Sequence, residues 1–158
     1  MDEQSYLQMV QACERSLYRI ARSILYNDMD CADAVQQAVF QGWINRRKLR
    51  DPEKFRSWLT AILVNECRNL QRRQLKQKNV MLAVENRART DAVPVNDPGL
   101  AEAIRELPEQ YRLPILLHYM EGYSIREIAE ILHVTERRVT DCMYRARRKL
   151  EEALSDEE

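Results

Sequence analysis

The chain has 158 residues with 25 basic and 25 acidic side chains, so its formal net charge is zero, and 45% of its residues are apolar. That length suits one domain or two small ones, three Gly and two Phe disfavour a β-rich fold, and no apolar run is long enough to span a membrane. The acidic start MDEQSYLQ does not read as a signal peptide, and Cys13, Cys31, Cys67 and Cys142, without a C-x-x-C or a His pair, read as buried reduced thiols rather than disulfides or a zinc site.

The first predicted helix runs from about Ser5 to Tyr26, with Leu7, Val10, Cys13, Leu17, Ile20, Ala21 and Ile24 inward. Asn27-Asp28-Met29-Asp30 breaks it. Asp30 with Asp33 opens a second helix that carries Val35, Ala38, Val39 and Trp43 and ends in the basic run Asn45-Arg46-Arg47-Lys48. Asp51-Pro52-Glu53 is a strong third start: a capping Asp, Pro at the first helical position and an acid in the first turn. The third helix places Phe55, Trp58, Leu59, Ile62, Leu63, Cys67 and Leu70 on one side, and Arg56, Arg68, Arg72, Arg73, Lys76 and Lys78 largely on the others. Phe55 and Trp58 read first as core aromatics; the alternative is a platform that stacks on unpaired bases. Periodicity is lost over 76–99, where Pro94, Asn96, Asp97, Pro98 and Gly99 mark a linker and a domain boundary.

The second half is a helix-turn-helix pattern. Pro108 suits a first helical turn, and Gly122 ends the helix that carries Ile115, Leu116, Tyr119 and Met120. Pro114 should kink or split that helix. Ser124 and Glu127 form a capping box for a helix that buries Ile125, Ile128, Ala129 and Leu132. His133-Val134-Thr135 is the turn, with Thr135 placed to cap the recognition helix. In that helix Val139, Met143, Ala146, Leu150 and Ala153 form the inward stripe, and Arg137, Arg138, Thr140, Asp141, Tyr144, Arg145 and Arg148 lie mostly off it.

Zero net charge hides a segregation of sign. Residues 46–78 hold eleven basic and three acidic side chains, and residues 134–150 hold six and two. The flanking segments 1–45 and 79–133 are net acidic, and 151–158 holds five acids and no base, which should leave it unstructured beyond the last helical turn. Two separate basic blocks point to two phosphate-facing surfaces.

Taken in order, these fragments resemble the group IV (extracytoplasmic function, ECF) sigma-70 factors, the small initiation subunits of bacterial RNA polymerase. Asp33-Ala34-Val35-Gln36-Gln37 sits where that family has D-x-V-Q-E, and Trp43 occupies the following aromatic position. Phe55-Arg56-Ser57-Trp58-Leu59 is similar to F-x-x-W-L, Asn65 matches an Asn after it, and Arg72-Arg73 match the basic end of the helix. Leu107-Pro108-Glu109, Gly122-Tyr123-Ser124, Glu127-Ile128-Ala129 and Arg145-Ala146-Arg147 match in register in the second half.

The resemblance implies an all-α fold of two small helical domains: a sigma-2-like helical bundle over 1–75, a flexible linker over 76–99, and a sigma-4-like helix-turn-helix over 100–158. It implies core RNA polymerase (β′ clamp and β flap) and promoter DNA as partners, with an anti-sigma factor as regulator. Asp33, Gln36, Gln37, Phe40 and Trp43 would bind polymerase. Lys48, Leu49, Arg50, Lys54, Phe55, Trp58, Asn65, Arg68, Arg72 and Arg73 would bind the −10 element, with the loop Lys48 to Lys54 capturing a flipped base. Thr135, Arg137, Arg138, Thr140, Asp141, Tyr144, Arg145 and Arg148 would bind the −35 element.

The chain departs from the family pattern in four places. Gln37 replaces Glu, Val39 lies where Phe is common, and Leu49 lies where the base-capturing loop has an aromatic. Thr140-Asp141-Cys142 replaces a basic-Ser-basic triplet, and Asp141 would repel phosphate, though a carboxylate can accept from a cytosine amino group.

Three functional classes follow. The leading one is a sequence-specific transcription initiation factor, acting in the cytoplasm or held at the inner membrane face by an anti-sigma factor. The second is a helix-turn-helix DNA-binding regulator, or a sigma mimic without initiation activity. An enzyme has little support: His118 and His133 are isolated, and no phosphate loop, metal constellation, cofactor motif or small-molecule substrate site is recognisable.

Overall fold

The computed structural model describes residues 1–78 and 93–156, and these form seven α-helices with no strand among the described residues. Helix α1 (Glu3–Arg22) starts under Asp2, whose carboxylate accepts the Ser5 amide at 2.8 Å. Its buried face is Tyr6, Val10, Cys13, Leu17, Ile20 and Ala21. Leu7, expected inward, is 45% exposed. Tyr6 continues the four-three spacing of the stripe through Val10, Cys13 and Leu17, and Leu7 is rotated about 100° away.

Helix α2 (Asp28–Ile44) begins earlier than Asp30, because the Asn27 side chain accepts the Asp30 amide at 2.7 Å and is the N-cap. Two 3₁₀ turns, Arg46–Lys48 and Pro52–Lys54, carry the chain into α3 (Phe55–Lys78), with Asp51 capping Glu53 as its sequence suggests. Gly42 is buried where α2 meets the Tyr6 hydroxyl and Leu59, so helices α1, α2 and α3 converge on it.

The linker expected over 76–99 lies mostly outside the described residues, and its ends are helical. Helix α3 runs to Lys78, and α4 (Pro98–Glu106) opens under Asp97, which accepts the Gly99 and Leu100 amides. Pro114 does not split its helix. It lies inside α5 (Glu109–Ile115), and its missing N–H is followed at once by a wide π turn over Leu116–Met120, where the Glu121 amide reaches back to the Leu116 carbonyl. Gly122, at φ 77°, closes that turn.

Helix α6 (Ile125–Leu132) has both bonds of the Ser124–Glu127 capping box. Helix α7 (Glu136–Ser155) is capped by Thr135 and buries Val139, Met143 and Ala146. Ala153, expected on the inward stripe, is exposed, and the acidic segment remains helical through Ser155 rather than fraying after residue 150. Three cysteines are buried as expected; Cys142 is not, because it lies off the Val139–Met143–Ala146 stripe. Burial also pushes the Cys67 thiol far above its ordinary range, so it stays protonated.

The turn before α7 begins in the left-handed region at His133, φ 56°, with the Val134 amide bonded to the Ala129 carbonyl. A left-handed conformation costs a side chain about 1–2 kcal/mol, and glycine avoids that cost but loses more chain entropy. His133 is exposed and can be replaced freely. His133→Gly should therefore stabilise the protein by about 0.5–1 kcal/mol, seen as a rise of roughly 2–3 °C in the melting temperature.

The two halves are not apart. Leu59, Leu63, Val64 and Cys67 of the first half share one continuous core with Leu113, Leu117, Tyr123 and Ile128 of the second, and α6 lies against α3. Polar ties cross the same boundary. Glu121 is buried against Ser16, Arg19 and Arg56; the Thr60 and Tyr123 hydroxyls are 2.9 Å apart; and Arg112 donates to the Ser23 carbonyl at 3.0 Å.

Candidate polymerase and nucleic-acid interfaces

Helix α2 aims one face outward. Asp33, Gln36, Gln37 and Phe40 are exposed on it at helical spacing, and Phe40 shows 56% of its surface. With Leu7 (45%) it borders an apolar groove of about 620 Å³ between α1 and α2, lined also by Tyr6, Val10, Val39 and Trp43, and Ile44 is exposed (54%) at the end of α2. Trp43 is only half-buried: Tyr6 packs on it at 5.3 Å, and the Arg46 guanidinium lies 3.8 Å over its ring. Exposed apolar surface of this kind marks a protein partner more than a solvated face. Leu7 and Ile44 were missed from sequence. Leu7 was assigned to the core, and its one-residue offset from the Tyr6 stripe was the available signal.

The second surface is basic. Lys48, Arg50 and Lys54 are exposed around the two 3₁₀ turns, and Asn65, Arg72 and Arg73 are exposed along α3, with Arg68 half-exposed. Leu49 is half-buried against the core and offers only part of its side chain. Phe55 does not belong to this surface: it is 3% exposed and sits edge-on to Tyr6 at 5.7 Å, so its ring has no face for a base. Trp58 packs beside Phe55 but stays half-exposed, and is the aromatic that remains available. Arg72 and Arg73 also line a crevice of about 720 Å³ with Asp33, Gln37, Glu66 and Asn69, which joins the α2 and α3 faces into one continuous patch.

The third surface is the outer face of α7. Arg137, Arg138, Thr140, Asp141, Tyr144, Arg145 and Arg148 are all exposed. Thr135, Arg137, Arg138, Asp141 and Arg145 border a concavity of about 390 Å³ closed at the back by Gln110 and Tyr111. A bond to the Tyr111 hydroxyl raises the Arg145 pKa above its ordinary value, and one to the Tyr144 hydroxyl, at 3.2 Å, does the same for Arg148. The Thr140 hydroxyl donates back to the Glu136 carbonyl at 3.0 Å. The Asp141 carboxylate sits among the arginines of this concavity and partly offsets their field.

The interdomain boundary touches two of these surfaces. Arg68 of α3 and Arg138 of α7 line the same small cavity of about 120 Å³ with Glu109, Leu113 and Val139. Burial raises the Glu109 carboxyl above its usual range, against the opposing pull of Arg68 and Arg112. Among the described residues no cluster of His, Cys, Asp and Glu could hold a metal ion, and no helix is long and apolar enough to cross a membrane.

Comparison with known proteins matches both halves. The family model for sigma-70 region 2 matches residues 9–77, and that for sigma-70 region 4 matches residues 99–150. RNA polymerase sigma factor SigV of Bacillus subtilis is 31% identical over 147 residues, covering 92% of this chain and 88% of the relative. ECF RNA polymerase sigma factor SigM of Mycobacterium tuberculosis is 29% identical over 157 residues, covering 94% and 76%. Among solved structures, the sigma factor RpoE in complex with the anti-sigma factor NepR from Bartonella quintana superposes with a TM-score of 0.79 at 21% identity, covering 96% of this chain and 98% of that one. CnrH in complex with the cytosolic domain of CnrY superposes at 0.69 and 24% identity, covering 99% and 92%.

Proposed function

Because this chain belongs to the sigma-70 family of RNA polymerase sigma factors, we propose that its three exposed faces divide the work of promoter recognition. The protein is a transcription initiation factor whose partners are core RNA polymerase and promoter DNA. The finer assignment rests on one observation: an apolar face on α2 and a basic face on α3 adjoin each other, while the α7 face stands on the other half of the chain. The apolar face, with Asp33, Gln36, Gln37, Phe40, Trp43, Leu7 and Ile44, suits the polymerase clamp. Lys48, Arg50, Lys54, Trp58, Asn65, Arg68, Arg72 and Arg73 suit melted −10 DNA, where phosphate contacts give affinity and an aromatic can stack on a base. Thr135, Arg137, Arg138, Asp141, Tyr144, Arg145 and Arg148 suit −35 duplex. The domain division at 1–75, 76–99 and 100–158 belongs to the same reading. An anti-sigma factor is the expected regulator, as in the superposed complex of RpoE with the anti-sigma factor NepR. We read the protein as non-catalytic and as acting where the polymerase is, in the cytoplasm.

Run-off transcription with core polymerase and genomic DNA should yield discrete starts that depend on this protein. Absence of any complex with core polymerase would refute the assignment. A specific duplex shift by the protein alone, without polymerase, would favour the stand-alone regulator instead.

A quantitative check separates the two basic faces. Each phosphate contact to a single strand contributes about 0.7 to the salt slope of log K. Arg72→Gln with Arg73→Gln should lower the slope for a single-stranded −10 oligonucleotide, measured with the polymerase complex, by about 1.4. The slope for −35 duplex should not change.

A further inference from the structure

Asp141 stands at the centre of the exposed face of α7. At about 100° per residue it lies roughly opposite the buried stripe of Val139, Met143 and Ala146. Arg137 and Arg145, one turn before it and one turn after, sit about 40° to either side. Both border the concavity of about 390 Å³ that also holds Arg138 and Asp141. When a recognition helix enters the major groove, its midline meets base edges and its flanks meet the phosphate walls. The arginines therefore lie toward the phosphates, and the carboxylate lies where bases are read.

An acid in this position would ordinarily be a solvated charge paired with the arginine one turn on. That pair is not made here. Among the described residues no hydrogen bond or ion pair engages the Asp141 carboxylate, and Asp141 acts on Arg145 only as a nearby charge. Arg145 donates instead to the Tyr111 hydroxyl, which α5 presents at the back of the concavity. The Tyr111 ring is half-buried against the core, with the Lys149 ammonium 5.7 Å from its centre. In the triplet Thr140-Asp141-Cys142, the Thr140 hydroxyl is already donated to the Glu136 carbonyl and Cys142 is half-buried. Asp141 is the member of the triplet that offers an unengaged acceptor.

An ionised carboxylate has acceptors only. On the major-groove edge guanine presents N7 and O6 and thymine presents O4, all of which would repel it. Adenine sets its N6 donor beside the N7 acceptor, whereas cytosine presents its N4 donor with no acceptor on its own edge. Cytosine is the base that a carboxylate can engage without facing a second lone pair.

We propose that Asp141 is the specificity-determining residue of the −35 face, selecting a cytosine through its N4 amino group, and that Tyr111 is a positioning residue that keeps the carboxylate available by engaging Arg145. The proposal rests on the assignment of α7 to −35 duplex above.

Holoenzyme assembled from core polymerase and the full chain, offered promoter duplexes randomised over the −35 segment, tests both roles when the bound DNA is sequenced. The wild type should prefer cytosine at one position by about ten-fold, the lower range of a good side chain–base pair. Asp141→Ala should flatten the preference at that position alone. It should also strengthen binding to duplexes with another base there, since a negative charge among phosphates is gone. Asp141→Asn should move the preference to adenine, whose N6 and N7 an amide pairs with together. Tyr111→Phe keeps the ring and removes only the hydroxyl. Arg145 should then close on Asp141, and the cytosine preference should fall several-fold while the rest of the selected sequence is retained.

A cytosine preference that survives Asp141→Ala, or stronger binding to every sequence with no change in preference, would overturn the reading role and make Asp141 a solvated charge. A wild type that selects adenine at the affected position would overturn the assignment to cytosine. Tyr111→Phe with the preference intact would overturn the positioning role. If the holoenzyme initiates but selects no −35 base, the assignment of α7 to the −35 element falls and this proposal with it. If no holoenzyme forms, the proposed function itself falls first.

Discussion

Arg112→Met should lower the stability of the protein by about 3 kcal/mol, a fall of roughly 10 °C in melting temperature. Arg112 is 2% exposed, and its guanidinium donates to three carbonyls: Leu107 at 2.6 Å, Arg105 at 3.2 Å and Ser23 at 3.0 Å. Two of these lie at the corner between α4 and α5, and the third is the C-cap of α1 in the other half. Methionine fills similar space but donates nothing, and each buried acceptor left without a donor costs about 1–3 kcal/mol. Burial already lowers the Arg112 pKa from its ordinary value, so the charge is held at a desolvation cost and part of the loss is returned when it is removed. The carbonyls outweigh that return because three of them depend on one side chain. Thermal unfolding followed by circular dichroism measures the effect. A change within about 0.5 kcal/mol, the range of an ordinary surface substitution, would show that water replaces the guanidinium without cost.

Gly42→Ala should also destabilise, against its helix propensity. Alanine in a helix interior is favoured over glycine by about 1 kcal/mol. At this position the added methyl would lie 2.5 Å from the Tyr6 hydroxyl and 3.0 Å from Leu59 Cδ1. The tyrosine cannot swing away: it is 2% exposed, wedged against Trp43 and Phe55, and its hydroxyl donates to the Val39 carbonyl at 2.6 Å. Overpacking costs about 1–3 kcal/mol, and loss of the hydroxyl bond adds about 1. The net expectation is a loss of about 1–3 kcal/mol, because the clash and the lost bond together exceed the propensity gain. Since Tyr6 and Trp43 also line the α1–α2 groove, the same variant should weaken polymerase binding. Unchanged stability with the Tyr6 fluorescence environment intact would mean that the three helices yield more readily than their packing implies.

Much of the helix punctuation was legible because it is written in adjacent residues. The Asp51-Pro52 start, the Ser124–Glu127 box, the Thr135 cap and the Gly122 stop each depend on side chains within a few positions of the backbone group they satisfy. The α7 face was legible for the same reason: one helix presents it, and its periodicity names the residues. The errors arose where the partner is remote in sequence. Leu7 and Tyr6 are neighbours that compete for one stripe, and Tyr6 is chosen by Val39, Trp43 and Phe55 on other elements. Phe55 was open to two readings from sequence because its burial is decided by that same tyrosine. Pro114 suggested a break, but the π turn after it absorbs the defect inside a buried helix.

The sequence by itself determined the family, the all-helical character, the two basic blocks and the recognition helix, since local capping chemistry, periodicity and charge order do not depend on how distant segments meet. Only the tertiary structure decided that the two halves close on one another. Nothing in the sequence singles out Glu121 or Arg19, and Arg56 falls among the basic residues off the inward side of the third helix. The Arg19–Glu121 bond spans 102 positions of the chain and the Arg56–Glu121 bond spans 65. A pair so far apart in the chain leaves no periodic trace, and becomes visible only when folding removes the water between them.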